Sequence, residues 1–121
     1  MFTIEDTPLF LRVTFSGDVG ERLLFMAIDK ITTHASYPDK NDLWLFHGCS
    51  SSFSHASLYG LVRAIENSYP KSPRRNKTAL VTSTAMHKAL AELFLEEAVH
   101  LPYTIRAFSD QHSAESWLLQ P

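Results

Sequence analysis

The 121-residue chain carries 11 lysines and arginines against 13 aspartates and glutamates, which leaves a formal net charge of −2. This balance provides no basic surface of the kind that binds the phosphates of nucleic acid. A chain of this length is expected to form one domain, here 1–121, with a core large enough to need no covalent staple.

The N-terminal third predicts an edge strand, a longer strand and a helix. Residues 2–5 are interpreted as a short antiparallel edge strand, and apolar residues alternate over 9–15, which is typical of a strand with one drier face. Asp18, with Glu21 three residues later, predicts the N-cap of the first helix. The predicted buried face of that helix is Val19, Leu23, Met26, Ala27 and Ile31.

The middle of the chain predicts an interior strand and a second helix. Residues 43–46 form a continuous apolar run, as expected for a strand covered on both faces. A serine-rich loop follows, Ser54 is predicted to cap the helix, and 70–76 is interpreted as a solvated basic linker. Gly60 costs a helix interior about 1 kcal/mol relative to alanine, so it predicts a close approach to the sheet. The predicted apolar stripe is Leu58, Leu61, Val62, Ile65 and Tyr69.

The last third predicts a strand, a helix, a second strand and a second helix, with capping or helix-ending residues between them. Residues 77–83 predict a strand, Thr84 caps a third helix, and Pro102 ends it. Residues 103–108 predict a further strand, and Asp110 caps a final helix. The predicted buried side chains are Met86, Leu90, Leu93, Phe94, Ala98 and Leu101 in the third helix and Ala114, Trp117 and Leu118 in the last.

The order of elements, (β)βαβαβαβα, indicates an α/β fold. Strands that alternate with helices pair in parallel through right-handed crossovers, and the helices cover the faces of the sheet. The sequence therefore predicts a mostly parallel sheet with an antiparallel N-terminal edge strand.

Cysteine usage and hydropathy restrict the class further. The single cysteine, Cys49, excludes an internal disulfide framework and an all-cysteine metal site, and it is compatible with a reducing compartment. No apolar run approaches the roughly 20 residues of a membrane span. The first residues also lack a basic segment followed by an apolar one. The expected protein is cytoplasmic and has no membrane span.

The six histidines do not follow a metal-ligand pattern, because the sequence contains no His-x-x-x-His pair. His87 and His100 are predicted to lie on the polar, solvated side of the third helix. His47 follows the interior strand, and with Cys49 and His55 nearby it offers a Cys/His pair for nucleophilic catalysis. That loop contains no orienting acid, and a lone cysteine is more often a small buried apolar residue.

The strand ends favour hydroxyl groups over phosphate chemistry. The four glycines build no Gly-rich phosphate loop, and the acids that a phosphoryl-transfer receiver needs are missing from the strand ends. Ligands of open parallel sheets bind at the carboxyl ends of strands, at a switch point of the strand order. The predicted lining of such a crevice is Ser16, His47, Ser83 and Thr84.

Several aromatic residues fall outside the apolar stripes. Phe25 and Tyr59 lie off the buried faces of their helices, and Phe53 lies in the serine-rich loop. A contiguous apolar patch marks an interface. We therefore predict a protein-binding or homodimer surface, formed by Phe25, Phe53, Ser54, His55, Ser57 and Tyr59.

The end of the chain resembles the closing signature of the bacterial SpoIIAA-like proteins. A strand that ends in Phe108 is followed by a short capped helix with an Ala-x-x-Trp-Leu pattern at 114–118. The Ser-Gly-Asp-Val turn at 16–19 is similar to the family's first strand-to-helix turn, and the order of elements matches over essentially the whole chain. The resemblance implies the fold of STAS domains, which are named for sulfate transporters and anti-sigma factor antagonists.

The resemblance also points to a regulatory serine. Anti-sigma antagonists of this fold are phosphorylated on a serine within an Asp-Ser-Ser/Thr-Gly pattern, which switches partner binding. The pattern falls here on 55–58, His-Ala-Ser-Leu, so the aspartate, the first serine and the glycine are absent. Ser54 or Ser57 would be the substitute, since a helix N-terminus stabilises a phosphate. The simpler interpretation is that Ser54 is only a cap.

Taken together, these patterns favour a non-enzymatic regulatory domain that binds a protein partner and needs no cofactor. The alternative is a module that binds a small molecule or lipid in a crevice between the sheet and the second helix. The remaining hypothesis is an enzyme that uses Cys49 and His47.

Overall fold

The computed structural model describes residues 1–37, 39–46, 48–51, 55–68, 77–99, 101 and 104–120. The elements in these ranges are, in chain order, β1 (Phe2–Asp6), β2 (Phe10–Phe15), β3 (Gly17–Val19), α1 (Glu21–Thr32), β4 (Asn41–Leu45), β5 (Cys49–Ser51), α2 (His55–Ser68), β6 (Lys77–Val81), α3 (Ala85–Glu97), β7 (Thr104–Phe108) and α4 (Gln111–Leu118).

The main sheet has the strand order β1-β2-β4-β6-β7. Strand β1 pairs antiparallel with β2, while β2, β4, β6 and β7 pair in parallel. The predicted fold class and the antiparallel edge strand are therefore confirmed. The predicted switch point is wrong, because the parallel strands of the main sheet lie side by side in chain order, β2, β4, β6 and β7, and this order does not reverse.

The strand order of the main sheet determines which face of the sheet each helix covers. Crossovers that share one hand and advance in one direction put α1, α2 and α3 on the same face of the sheet. Neighbouring helices pack side by side there, α1 on α2 and α2 on α3, whereas α4 packs on the strands from the opposite face.

The sheet is buried on both faces at its centre. Leu11 and Val13 of β2 point to the layer of α1, α2 and α3, while Phe10 points to α4. The side chains of β4 alternate in the same way, with Trp44 on the face covered by α1, α2 and α3 and Leu43 on the face covered by α4. Successive side chains of a strand point to opposite faces of the sheet, which produces this alternation. The prediction that 43–46 is an interior strand is confirmed over Leu43 to Leu45.

Helix α1 begins later than predicted. Asp18 is not an N-cap, because it lies in β3, which pairs in parallel with β5. Its carboxylate accepts a hydrogen bond from Ser50 Oγ (2.6 Å). The N-cap residue is Gly20, which has no side chain to bond the helix. Of the predicted face, Val19, Ala27 and Ile31 are buried and Leu23 packs against the core, but Met26 is exposed. The buried residues of the helix are Leu24, Ala27, Ile28 and Ile31.

Helix α2 buries the predicted stripe of Leu58, Leu61, Val62 and Ile65. Gly60 does mark a close approach, but to α1 rather than to the sheet. A Cβ atom on Gly60 would lie 3.4 Å from Cζ of Phe25, at the limit of ordinary van der Waals contact. The Phe25 ring therefore lies directly against α2 at Gly60. Ser54, Tyr69 and the linker 70–76 lie outside the described residues.

Both predicted caps of the C-terminal half are confirmed. Thr84 Oγ1 accepts a hydrogen bond from the His87 backbone N–H (3.1 Å), and Asp110 Oδ1 accepts one from the Ser113 N–H (2.8 Å). Of the predicted stripe of α3 and the turn after it, Ala98 and Leu101 are buried and Leu90, Leu93 and Phe94 pack against the core, but Met86 is 61% exposed. In α4 the predicted Ala114 and Leu118 are buried and Trp117 is half-buried. His100, Pro102 and Tyr103 fall outside the described ranges.

Asp110 makes the stability of the fold depend on pH. Hydrogen bonds from the backbone N–H and the hydroxyl of Ser113 lower the pKa of Asp110. A depressed pKa in the folded state gives stability that is present above the unfolded value of about 4 and lost as the pH falls through the folded value. Asp110→Asn keeps a capping side chain and does not titrate.

We expect urea titrations to show that the difference in unfolding free energy between wild type and Asp110→Asn shrinks as the pH is lowered from about 6 to below 4. A difference that stays constant with pH would show that the Asp110 carboxylate is not held by Ser113.

Candidate functional site

A cavity of about 100 Å³ lies between the sheet and the helices α1, α2 and α3. It follows β6 from Thr78 to Thr82 and continues beneath α2 and α3. Because these elements converge from different parts of the chain, the cavity is a product of their packing. Most of its wall is apolar, and the principal side chains are Ile28, Trp44, Leu58, Leu61, Leu80 and Phe94.

A buried hydrogen-bonded group closes the end of the cavity where β4 and β6 begin. Asp42 is 3% exposed, and its carboxylate accepts hydrogen bonds from Trp44 Nε1 (2.5 Å) and Thr78 Oγ1 (2.9 Å). Asp42 and Thr78 are partners in the parallel pairing of β4 with β6, and Trp44 lies on the same face two residues later. Strand geometry therefore brings the three side chains together.

The cavity is also lined by His87, in the first turn of α3. His87 is 6% exposed, and its Nδ1 has no hydrogen-bond partner among the residues that the structure describes. The prediction that His87 is solvated is therefore wrong. His87 and Ala91, one turn apart, face the sheet together. Positions 87 and 91 share helical spacing with the predicted Phe94 and Ala98, and this spacing carries the signal, but the apolar Met86 was placed on the buried face instead of His87.

The predicted hydroxyl crevice is only partly assembled. Ser83 and Thr84 line an open polar depression of about 210 Å³ at the carboxyl end of β6, together with Lys88 and Ser109. Ser16 follows β2, which β4 separates from β6, so about 10 Å of sheet lies between Ser16 and Ser83. The backbone carbonyl of Ser16 instead accepts a hydrogen bond from the N-terminal ammonium group (3.0 Å). His47 lies outside the described residues.

The predicted partner surface is described at Phe25 and Tyr59. Tyr59 is 54% exposed on α2. Phe25 is half-buried and packs against the core, so it presents only part of its ring to solvent. Phe53 and Ser54, together with the side chains of 55–57, lie outside the described part of the chain. The surface therefore stays a prediction, centred on Tyr59.

The thiol of Cys49 is poorly placed for catalysis. Cys49 is half-buried, and its Sγ donates a hydrogen bond to the Phe46 carbonyl (3.2 Å). Burial raises the pKa of the Cys49 thiol. This reduces the fraction of thiolate, which is the nucleophilic form. The partner histidines of the proposed pair, His47 and the side chain of His55, are outside the described residues.

The described residues form neither a metal site nor a helix that could span a membrane. Among the described side chains, no group of three or more His, Cys, Asp or Glu residues is placed to hold a metal ion. Within the same ranges, no helix has the length and apolar character needed to cross a membrane.

The pairing of the strands and the distribution of the helices over the two faces define a SpoIIAA-like fold, as the sequence resemblance predicts. A solved structure with this fold, an uncharacterized protein of the DUF3478 family from Shewanella loihica PV-4, is similar with a TM-score of 0.58 and 11% sequence identity. The match covers 98% of this chain and 92% of that chain. No family model and no curated protein matches the sequence. At this identity the likeness establishes the fold alone.

Proposed function

We propose that this chain is a non-enzymatic binding domain whose ligand is a small, mainly apolar molecule held between the sheet and helices α1, α2 and α3. The supporting observation is the cavity of about 100 Å³ with its apolar wall. Protein interiors are close-packed, with few voids larger than a water molecule. An engineered apolar cavity of about 150 Å³ stays dry and binds benzene. The cavity of this chain approaches that size.

The polar groups of the cavity support binding rather than catalysis. Each oxygen of the Asp42 carboxylate already accepts a hydrogen bond, one from Trp44 and one from Thr78, and the bond from Thr78 joins β4 to β6. Cys49 does not line the cavity, and the raised pKa of its thiol is unfavourable for a nucleophile. The described chemistry therefore favours a ligand that is held rather than converted.

A protein partner is the second candidate function, and the exposure of Tyr59 on α2 supports it. Tyrosine is enriched at protein interfaces, where its ring is buried and its hydroxyl remains hydrogen-bonded. The surface around Tyr59 lies outside the cavity lining, so the two candidates are separable by mutation. A regulatory domain of this kind would bind its partner through α2.

Filling the cavity should block the ligand without unfolding the protein. Ala91 lines the cavity, so we expect Ala91→Leu to leave the free energy of unfolding unchanged or to raise it by up to about 1 kcal/mol. Ala27 is fully buried in α1 away from the cavity lining. The same change there should overpack the core and cost about 1–3 kcal/mol. Chemical denaturation measures both values.

Benzene is the probe for the cavity itself. In methyl ¹H–¹³C spectra of wild type, benzene should shift the signals of Leu61, Leu80 and Ile105, which line the cavity. Leu43 and Val81 pack on the α4 side of the sheet and serve as internal controls whose signals should not move. Ala91→Leu should abolish the shifts.

Tyr59→Ala separates the two candidate functions. It should preserve the response to benzene, and if α2 carries a homodimer surface it should weaken self-association in analytical ultracentrifugation. A wild-type spectrum that benzene leaves unchanged would refute ligand binding in the cavity. A purely monomeric wild type would refute the homodimer.

A further inference from the structure

The side chain of His87 is buried in the cavity wall although one of its polar atoms has no hydrogen-bond partner among the described residues. The side chain lies in the cavity wall, is almost fully buried, and has an Nδ1 atom without a hydrogen-bond partner among the described residues. Buried polar atoms of native proteins are nearly always hydrogen-bonded, so each exception calls for a partner. The helix start holds the residue in place, because its backbone N–H donates to Thr84 Oγ1.

The hydrogen-bonded group at Asp42 lies too far from His87 to be that partner. Asp42 and Thr78 lie where β4 and β6 begin, whereas His87 lies in the first turn of α3, beyond the end of β6. Thr78 and Thr82 both line the cavity, and four residues of strand separate them by about 13 Å. The cavity therefore has a hydrogen-bonded carboxylate at one end, at Asp42, and at the other end a His87 Nδ1 atom without a partner among the described residues.

We infer that the ligand is a compact neutral molecule with one hydroxyl group, and that this hydroxyl forms a hydrogen bond with Nδ1 of His87. This inference rests on the proposed function and specifies its ligand class. A neutral imidazole donates from Nδ1 in one tautomer and accepts there in the other. A hydroxyl group does both, so it satisfies either tautomer. A charged group would lose its hydration in the apolar cavity, which disfavours it.

Phenol and toluene are matched probes, since a hydroxyl in one replaces a methyl in the other. Dissociation constants for both are measured by methyl NMR titration with wild type and with His87→Leu. We expect the ratio of the toluene dissociation constant to the phenol dissociation constant to be about five- to tenfold larger in wild type than in His87→Leu. This is the preference for phenol that one buried hydrogen bond to His87 would provide. Comparing ratios cancels the different hydration of the two probes.

The ¹⁵N chemical shift of His87 Nδ1 is the second readout, and it uses wild type alone. Phenol should change this shift, and toluene should leave it near its free value. That measurement decides the question if His87→Leu does not fold.

The outcomes separate this inference from the proposed function. If benzene and toluene bind but phenol gains no advantage from His87 and leaves its Nδ1 shift unchanged, the ligand class is wrong while the cavity remains a binding site. If none of the three probes shifts the cavity methyl signals, both the site and its ligand class are refuted.

Discussion

Phe15→Ala is expected to lower the free energy of unfolding by about 3–5 kcal/mol, the largest effect of any single change considered. The ring is 1% exposed and stacks on Phe46, with centroids 4.8 Å apart and planes 6° apart. It also contacts the rings of Trp44 and Phe2 at centroid distances of 5.8 Å and 6.0 Å. Removing it would leave a void that joins β1, β2 and β4. Equilibrium denaturation followed by circular dichroism measures the loss.

Two substitutions provide controls for this prediction. Phe15→Leu keeps most of the buried volume and should cost about 1.5 kcal/mol or less. Phe2→Ala removes a half-buried ring from the edge strand β1, so it should cost less than Phe15→Ala. If Phe15→Ala costs under about 1 kcal/mol, the aromatic cluster does not contribute as its geometry indicates.

Asp42→Ala is expected to cost about 2–4 kcal/mol, because it strands two buried donors at once. Trp44 Nε1 and Thr78 Oγ1 both donate to this carboxylate, which is almost fully buried. An unsatisfied buried donor loses its hydration without compensation, so the penalty exceeds that of an exposed hydrogen bond. Denaturation at pH 7 provides the free energies.

Thr78→Val is the matched control, since it removes a single hydroxyl from the same group and keeps the shape of the side chain. It should cost about 1–2 kcal/mol. The double variant should lose less unfolding free energy than the sum of the two single-variant losses. The reason is that Thr78→Val also removes one of the donors that Asp42→Ala leaves without an acceptor. Strictly additive losses would mean that Asp42 and Thr78 do not interact in the folded state.

Local sequence signals predicted the elements that depend on near neighbours. Thr84 and Asp110 cap their helices as predicted, because an N-cap bond joins residues three apart. The strand at Leu43 to Leu45 and the stripe of α2 also agree with the prediction, since hydrophobic periodicity is read over a few turns or residues. The resemblance of 104–118 to SpoIIAA-like proteins indicated the fold, which the structural match supports.

The errors occur where distant parts of the chain compete with a local signal. Asp18 has the sequence of an N-cap, yet pairing of β3 with β5 some 30 residues later places it in a strand. Met26 and Met86 fit the helical period of their predicted stripes, yet both are exposed, whereas Ile28 and His87 are buried. The helical period admits either position, and only packing against the sheet chooses between them.

The sequence by itself determined the order of the helices and the main-sheet strands, the caps at Thr84 and Asp110 and the α/β class, because hydrogen bonds and periodicity within a segment encode them. The tertiary structure alone decided the pairing of β3 with β5, the exposure of Met26 and Met86, the spatial order of the main-sheet strands and the cavity that His87 lines. The volume of a cavity is the space enclosed by α1, α2, α3 and the sheet minus the volume of the side chains that fill it. This volume depends on all four parts together, so it cannot be predicted from the residues of any one segment.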